Sequence, residues 1–243
     1  FYSNKLITSP DILPMRLLSN TGITSRPYAV YQVSGVTSNV GGSHSVCNHE
    51  EAQCVVSIIE HIRRNDTEST IGVITPYADQ KRLINENLSR TRGLSEDVDV
   101  NTVDGFQGDE REIIIISFVR SHVSQFLQEF RRLNVAITRP KHCLIILCAP
   151  SLESNDIGRL IDDARLRNVL YSEQDLQTIL GTGVVPTGMG QNNTTVDLSA
   201  SAWQGNPTSQ FLYAKHLDPI DRTKAFMWYR RAAENNHAEA QYH

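Results

Sequence analysis

Between Tyr28 and Tyr171, short runs rich in β-branched residues alternate with longer amphipathic stretches, the order expected of βα units on a parallel sheet. The strand candidates are YAVYQV at 28–33, TIGVIT at 70–75, VDVNTV at 98–103, EIIIISFV at 112–119, HCLIIL at 142–147 and a short VLY at 169–171. The runs at 113–119 and 143–149 are almost continuously apolar, as strands covered on both faces must be, so they belong at the centre of the sheet. Apolar residues at helical spacing predict helices over about 49–64, 77–90, 126–138 and 154–167, with Asn48 or His49 placed to cap the first. The expected fold class is therefore α/β, a parallel sheet flanked by helices.

Residues 181–204 are rich in Gly, Asn, Thr, Ser and Pro and lack apolar periodicity, which reads as a flexible linker between a domain at 1–180 and a helical segment at 205–243. In that segment GNPTSQF at 205–211 is echoed by NHAEAQY at 236–242, so Gln210 and Gln241 stand 31 residues apart, as do Phe211 and Tyr242. A repeat of this length in helical sequence points to stacked helical hairpins.

Composition adds bounds. With 40% apolar and 21% charged residues the 243-residue chain sits among ordinary globular proteins, not disordered ones. A net charge of −4, with neither half strongly basic, excludes a phosphate sponge; any nucleic-acid grip is expected to be local, weak in the isolated chain and steeply dependent on salt. Cys47, Cys54, Cys143 and Cys148 form no CxxC pair and read as reduced, structural thiols. His44, Cys47, His49 and Cys54 cluster in sequence, but the spacing is irregular and Cys54 falls on an apolar helix face, so no metal site is expected. No stretch approaches the roughly 18 apolar residues of a membrane span, and no secretory leader is visible; the expected setting is intracellular, cytoplasm or nucleus, without a membrane.

Since loops at the carboxyl ends of parallel strands gather ligand-binding groups, the chemistry is sought just after the strands. In PYADQ at 76–80, Thr75 and Gln80 offer hydrogen-bonding groups beside the aromatic Tyr77, which suits backbone and stacking contact with single-stranded nucleic acid; a Pro-broken turn is the plainer alternative. In NTVDGFQGDERE at 101–112, Thr102 and Asp104 can bond main chain. Gly105 and Gly108 permit close approach to a phosphate, and Gln107 and Glu110 can bond a sugar hydroxyl; the alternative is a Gly-containing hairpin turn. In FRRLNVAITRPKHCLIIL at 130–147, Leu133 and Ile137 share a helix face with Phe126 and Phe130. Arg132 and Arg139 stand two turns apart on another. A guanidinium there can stabilise charge on a transferring phosphoryl group, although a solvated basic face has the same pattern.

Taken in order, ITPYADQ, TVDGFQGDEREIIIIS and RRLNVAITR resemble motifs of superfamily 1 helicases, in particular the group containing the up-frameshift helicase of nonsense-mediated decay. The likeness spans roughly residues 1–180, including FYSNKL at the start, and three ordered matches are far more specific than one. It implies a RecA-like domain, the second of two motor domains, similar to P-loop NTPases. It also implies that Thr75, Tyr77 and Gln80 with the TVD of Thr102, Val103 and Asp104 touch single-stranded RNA or DNA. Gln107, Gly108 and Glu110 would face ATP with its Mg2+, Arg139 would be the arginine finger, and Arg132 and Asn134 would support coupling. No G-x-x-x-x-G-K-[ST] loop, DEA-type strand or QYR motif occurs in the sequence. Those parts are expected in an N-terminal helicase domain before Phe1, and the chain alone is expected to be inactive. KAFMWYRRAAENNHAEAQY at 224–242 resembles a partial Sel-one-like repeat, which implies a protein partner. The competing reading is a non-catalytic scaffold, in which a relic motor domain carries helical repeats for protein interaction.

Overall fold

The structure is a computed structural model and describes residues 23, 28–39, 45–91, 93–94, 98–119, 130–150, 155–182, 202, 205–217, 222–238 and 240. Most of the linker expected at 181–204, the FYSNKL segment, Phe126, His44, Gln241 and Tyr242 lie outside them. Two compact units are present, one of Phe1–Gly158 with Tyr171–Pro186, the other of Arg159–Leu170 with Thr187–His243.

In chain order the elements are β1 (Tyr28–Gln32), β2 (Thr37–Ser38), β3 (Cys47–Asn48), α1 (His49–Asn65), β4 (Ile71–Thr75), α2 (Ala78–Arg90), β5 (Val98–Thr102) and β6 (Arg111–Ser117). Then follow α3 (Phe130–Ile137), β7 (Pro140–Cys148), α4 (Asn155–Leu166), β8 (Leu170–Ser172), α5 (Glu173–Thr182), α6 (Pro207–Leu217) and α7 (Arg222–Glu234). Six strands form one sheet in the order β5-β4-β6-β7-β1-β8, and the pairings β5·β4, β4·β6, β6·β7 and β7·β1 are parallel. The apolar runs of β6 and β7 take the two central places, as their two-sided burial requires. β2 and β3 pair antiparallel apart from this sheet.

Local chemistry sets the helix ends. The Asn48 side chain accepts from Glu51 N at 2.9 Å and caps α1, which carries Glu50 and Glu51 in its first turn and Arg63 and Arg64 in its last, matching the helix dipole. The buried face of α1, including Ala52, Val55, Ile59 and Ile62, recurs at three- and four-residue spacing. α5 was not anticipated by apolar periodicity. It starts from a capping box in which Ser172 and Asp175 bond each other's main-chain N–H, at 2.8 and 3.1 Å.

Residues in register across parallel strands project to the same face. Ser117 of β6 meets Glu51 of α1 and Gln80 of α2, so α1 and α2 cover one face; Phe106 lies on Gly72 of β4 and covers the other. In the second unit, α6 and α7 enclose Phe211, Tyr213, Ala214, Ala225, Trp228, Tyr229 and Ala232. Tyr213 meets Trp228 edge-on at 5.3 Å, and Gln210 is satisfied at both ends, donating to Ala202 O at 2.9 Å and accepting from Asn235 Nδ2 at 2.8 Å.

Candidate functional site

The segment between β5 and β6 organises the site. Thr102 ends β5 opposite Thr75 at the end of β4, so both lie on the carboxyl rim of the sheet. The Thr102 hydroxyl accepts from Gly105 N at 3.4 Å, and Asp104–Phe106 form a short 3-10 turn. Phe106 is buried against Gly72, where an added Cβ would come within 2.6 Å of the ring; only glycine lets the segment lie this close to the sheet. Val103 is buried as well, while Asp104, Gln107, Gly108 and Glu110 are exposed. Gly108 adopts φ +95° with open space around it, so its main chain is accessible. The chain then enters β6, where Arg111 N donates to Arg139 O at 3.3 Å.

Eight residues, 103–110, thus carry the chain from the carboxyl rim to the amino rim. A hairpin turn is ruled out, because β4 lies between β5 and β6 and all three run parallel. The expectation that the site residues gather at the carboxyl ends therefore holds only for Thr75, Thr102 and their neighbours. Gly108, Glu110 and Arg139 stand at the amino ends of β6 and β7, the first two delivered by this unusually short crossover and Arg139 by the end of α3.

Helix α3 flanks the crossover. Arg132 Nε lies 3.5 Å from Asp104 Oδ1, joining two of the expected site residues. Leu133 and Ala136 are buried. The helix ends at Ile137, two residues before Arg139, and Pro140 opens β7, a position where its missing N–H costs the ladder nothing. The Arg139 side chain is half-buried and lies back over the helix end, donating from Nε to Val135 O at 2.9 Å and from Nη2 to Thr138 Oγ1 at 3.0 Å. Cationic groups are favoured at this end of a helix dipole. Among the described residues no carboxylate pairs with this guanidinium.

At the carboxyl rim the first loop is turned inward. Thr75 is fully buried and its hydroxyl accepts weakly from Tyr77 N at 3.5 Å. The Tyr77 ring is 8% exposed and packs with Val46 and Val119, which leaves it little surface for stacking a base. Gln80 is also fully buried: it accepts from Asn48 N at 2.9 Å and donates to Ser117 Oγ at 3.1 Å. Of the expected strand-contacting residues, half-buried Thr102 and exposed Asp104 keep surface at this rim.

Sequence reasoning missed the group to which Gln80 belongs. The Glu51 carboxyl is fully buried, and its Oε1 accepts from Ser117 Oγ at 2.6 Å and from Val119 N at 3.0 Å. Burial pushes this carboxyl up to about 7, with the hydrogen bonds from Ser117, Val119 and Phe118 opposing the shift. Val119 has φ +69°, the left-handed region that β-branched residues avoid. The one available signal was Asn48-x-x-Glu51, which has capping-box spacing; the Asn caps, but the Glu turns into the core. The four cysteines are free and buried, and the described residues hold no cluster of three potential metal ligands.

A family model described as an AAA domain matches residues 1–151, more than half of the chain. The chain belongs to this AAA domain family. Relatives of the AAA domain include human DNA replication ATP-dependent helicase/nuclease DNA2, 45% identical over 113 residues, which are 44% of this chain and 10% of that protein. Helicase SEN1 of Saccharomyces cerevisiae is 34% identical over 186 residues, 70% of this chain and 8% of the relative. An uncharacterized ATP-dependent helicase of Methanocaldococcus jannaschii is 36% identical over 167 residues, 64% of this chain and 24% of the relative. The chain therefore spans a quarter or less of the length of each. With the parallel sheet, these matches identify the AAA domain as a helicase domain of superfamily 1. No helix among the described residues is long and apolar enough to cross a membrane.

Proposed function

We propose that this chain supplies one half of an ATP-driven helicase motor. At the amino rim, the open main chain of Gly108, the exposed carboxylate of Glu110 and the guanidinium of Arg139 suit, respectively, a phosphate, a ribose hydroxyl and a transferring γ-phosphoryl group. ATP bound there would carry the reacting phosphoanhydride. Its triphosphate and magnesium would be held mainly by a second domain that carries a phosphate loop. At the carboxyl rim, Thr102, the main chain at Val103, and Asp104 with its partner Arg132 would hold single-stranded RNA or DNA by its backbone.

The observation that carries this reading is the crossover at 103–110, which joins Thr102 at the carboxyl rim to Glu110 at the amino rim by one short piece of main chain, and so supports a coupling of the two proposed ligand sites. The named activity of the relatives, ATP-dependent helicase, supports it. The α6–α7 pair, with small Ala214, Ala225 and Ala232 at its contact, we read as one Sel-one-like hairpin; exposed Phe226 and Met227 on α7 suit a protein partner.

The strand assignment is tested by fluorescence anisotropy of labelled oligo(dT) and oligo(U) titrated with the full chain over a salt series. Affinity should fall steeply with salt and by about three- to tenfold in Thr102→Val, the loss expected for one or two polar contacts. Binding indifferent to both changes would sink the assignment.

A further inference from the structure

Three elements end together beneath the carboxyl rim: the start of α1, the start of α2 and the end of β6. They are tied by a buried polar chain. Gln80 of α2 bonds Asn48 and Ser117; Ser117 of β6 donates to Glu51 of α1; and the same Glu51 oxygen takes the N–H of Val119. The other carboxyl oxygen, Oε2, has no hydrogen-bond partner among the described residues.

This arrangement is poor as a device for stability. A fully buried carboxyl with an unsatisfied oxygen is worse for the fold than an apolar side chain of similar volume. Val119, a β-branched residue at φ +69°, adds backbone strain that a glycine would not. The sheet needs neither feature, since Ile and Val side chains build its core. Both meet in one hydrogen bond, Val119 N to Glu51 Oε1, and the Val119 side chain packs on Tyr77, two residues after Thr75.

We propose that Glu51 is a positioning residue for the strand-holding rim: its Oε1 locks the chain leaving β6 into the left-handed turn at Val119, and that turn seats Tyr77 and the loop after Thr75, the buried support of Thr102, which pairs with Thr75 in register. The assignment rests on the reading of the carboxyl rim as the nucleic-acid face. Strain is kept where an unlatched chain would relax into an extended path, withdrawing the Val119 side chain from Tyr77 and loosening the rim. The role requires an accepting oxygen at this position and does not require a charge, because both donors converge on one atom.

The test uses the full chain and three variants. Glu51→Leu removes the acceptor. Val119→Pro removes the donor and forbids the positive φ without touching the α1 core. Glu51→Gln keeps an accepting oxygen and serves as the rescue. Hydrogen exchange at the Val119 amide and anisotropy with labelled oligo(dT) are measured on each, together with thermal unfolding. Glu51→Leu and Val119→Pro should fold yet bind oligo(dT) at least about tenfold more weakly, as expected if the loosened rim forfeits about one hydrogen bond to a strand phosphate. The Val119 amide of Glu51→Leu should exchange at least about tenfold faster, and Glu51→Gln should restore both readouts. Should Glu51→Leu not fold, Val119→Pro decides alone on binding. A folded Glu51→Leu or Val119→Pro that binds as tightly as the parent overturns the assignment and leaves the strand reading standing. A parent chain that binds no oligo(dT) overturns the strand reading, and this assignment with it.

Discussion

Replacing Glu51 by Gln should make the protein more stable, and by an amount that grows with pH. The folded-state carboxyl is raised from 4.5 to about 7, with burial as the largest cause. A group whose proton is held more tightly in the folded state contributes stability that is complete below about pH 4.5 and is lost as pH rises through about 7. At roughly 1.36 kcal/mol per pKa unit, the loss is on the order of 3 kcal/mol between pH 4.5 and pH 8. The groups that oppose the shift are the neutral donors Ser117, Val119 and Phe118, and the thiols of Cys54 and Cys148, pushed up chiefly by burial, remain neutral over this range. Gln cannot ionise, so it escapes the loss, although its own amide N–H would inherit the unsatisfied place of Oε2 and take back about 1 kcal/mol at all pH values. Urea unfolding of both proteins at pH 5, 6, 7 and 8 measures the difference directly, roughly level in acid and in favour of Gln by about 2 kcal/mol at pH 8. A difference that stays flat across the series would refute the reasoning, because it would mean that Glu51 titrates alike in the folded and unfolded chains.

In a protein that joins this domain to one bearing a phosphate loop, as the proposed function requires, Arg139→Ala should lower ATP turnover by about a thousandfold in a steady-state phosphate-release assay; tenfold or less would argue against a finger. Gly72→Ala should cost about 1–3 kcal/mol by thermal unfolding, since the new methyl would meet the Phe106 ring at 2.6 Å and Ile114 Cδ1 at 2.8 Å; an unchanged melting temperature would show that the crossover is not pressed on the sheet. Arg132→Ala should leave stability within about 1 kcal/mol, as the ion pair with Asp104 is long at 3.5 Å and its carboxylate is exposed, while weakening oligonucleotide binding; a large loss of stability would mark Arg132 as a packing residue.

Much of the architecture could be read from the chain because it is written in local pattern. The Ile run of β6 demanded two covered faces and sits at the centre of the sheet; Asn48 caps the helix it precedes. The short pieces left no such trace. β2 and β3 have two residues each, too few for alternation to register, and α5 announces itself only by its Ser172 and Asp175 box. At the site, residue types could be chosen from spacing, but direction could not. Tyr77 and Gln80 offer the right groups for a strand, yet their partners are Val119 and Ser117, about forty residues away, and these turn both side chains inward. Glu51 and Ser117 are 66 residues apart, so nothing periodic links them. The division into two rims was equally hidden, because it depends on β4 inserting between β5 and β6, a fact of topology that no window of sequence contains.

The connection from β5 to β6 also has almost no slack. Travelling down a strand and a half and sideways past β4 requires a span of about 22 Å. Nine Cα steps, three of them shortened by the 3-10 turn, reach at most about 26 Å. Surface loops usually absorb inserted residues with little consequence, but here each added residue would pay out tether between the two edges. If the two rims hold nucleotide and strand as proposed, lengthening 107–110 by a Gly-Ser pair should weaken their coupling more than the binding at either rim.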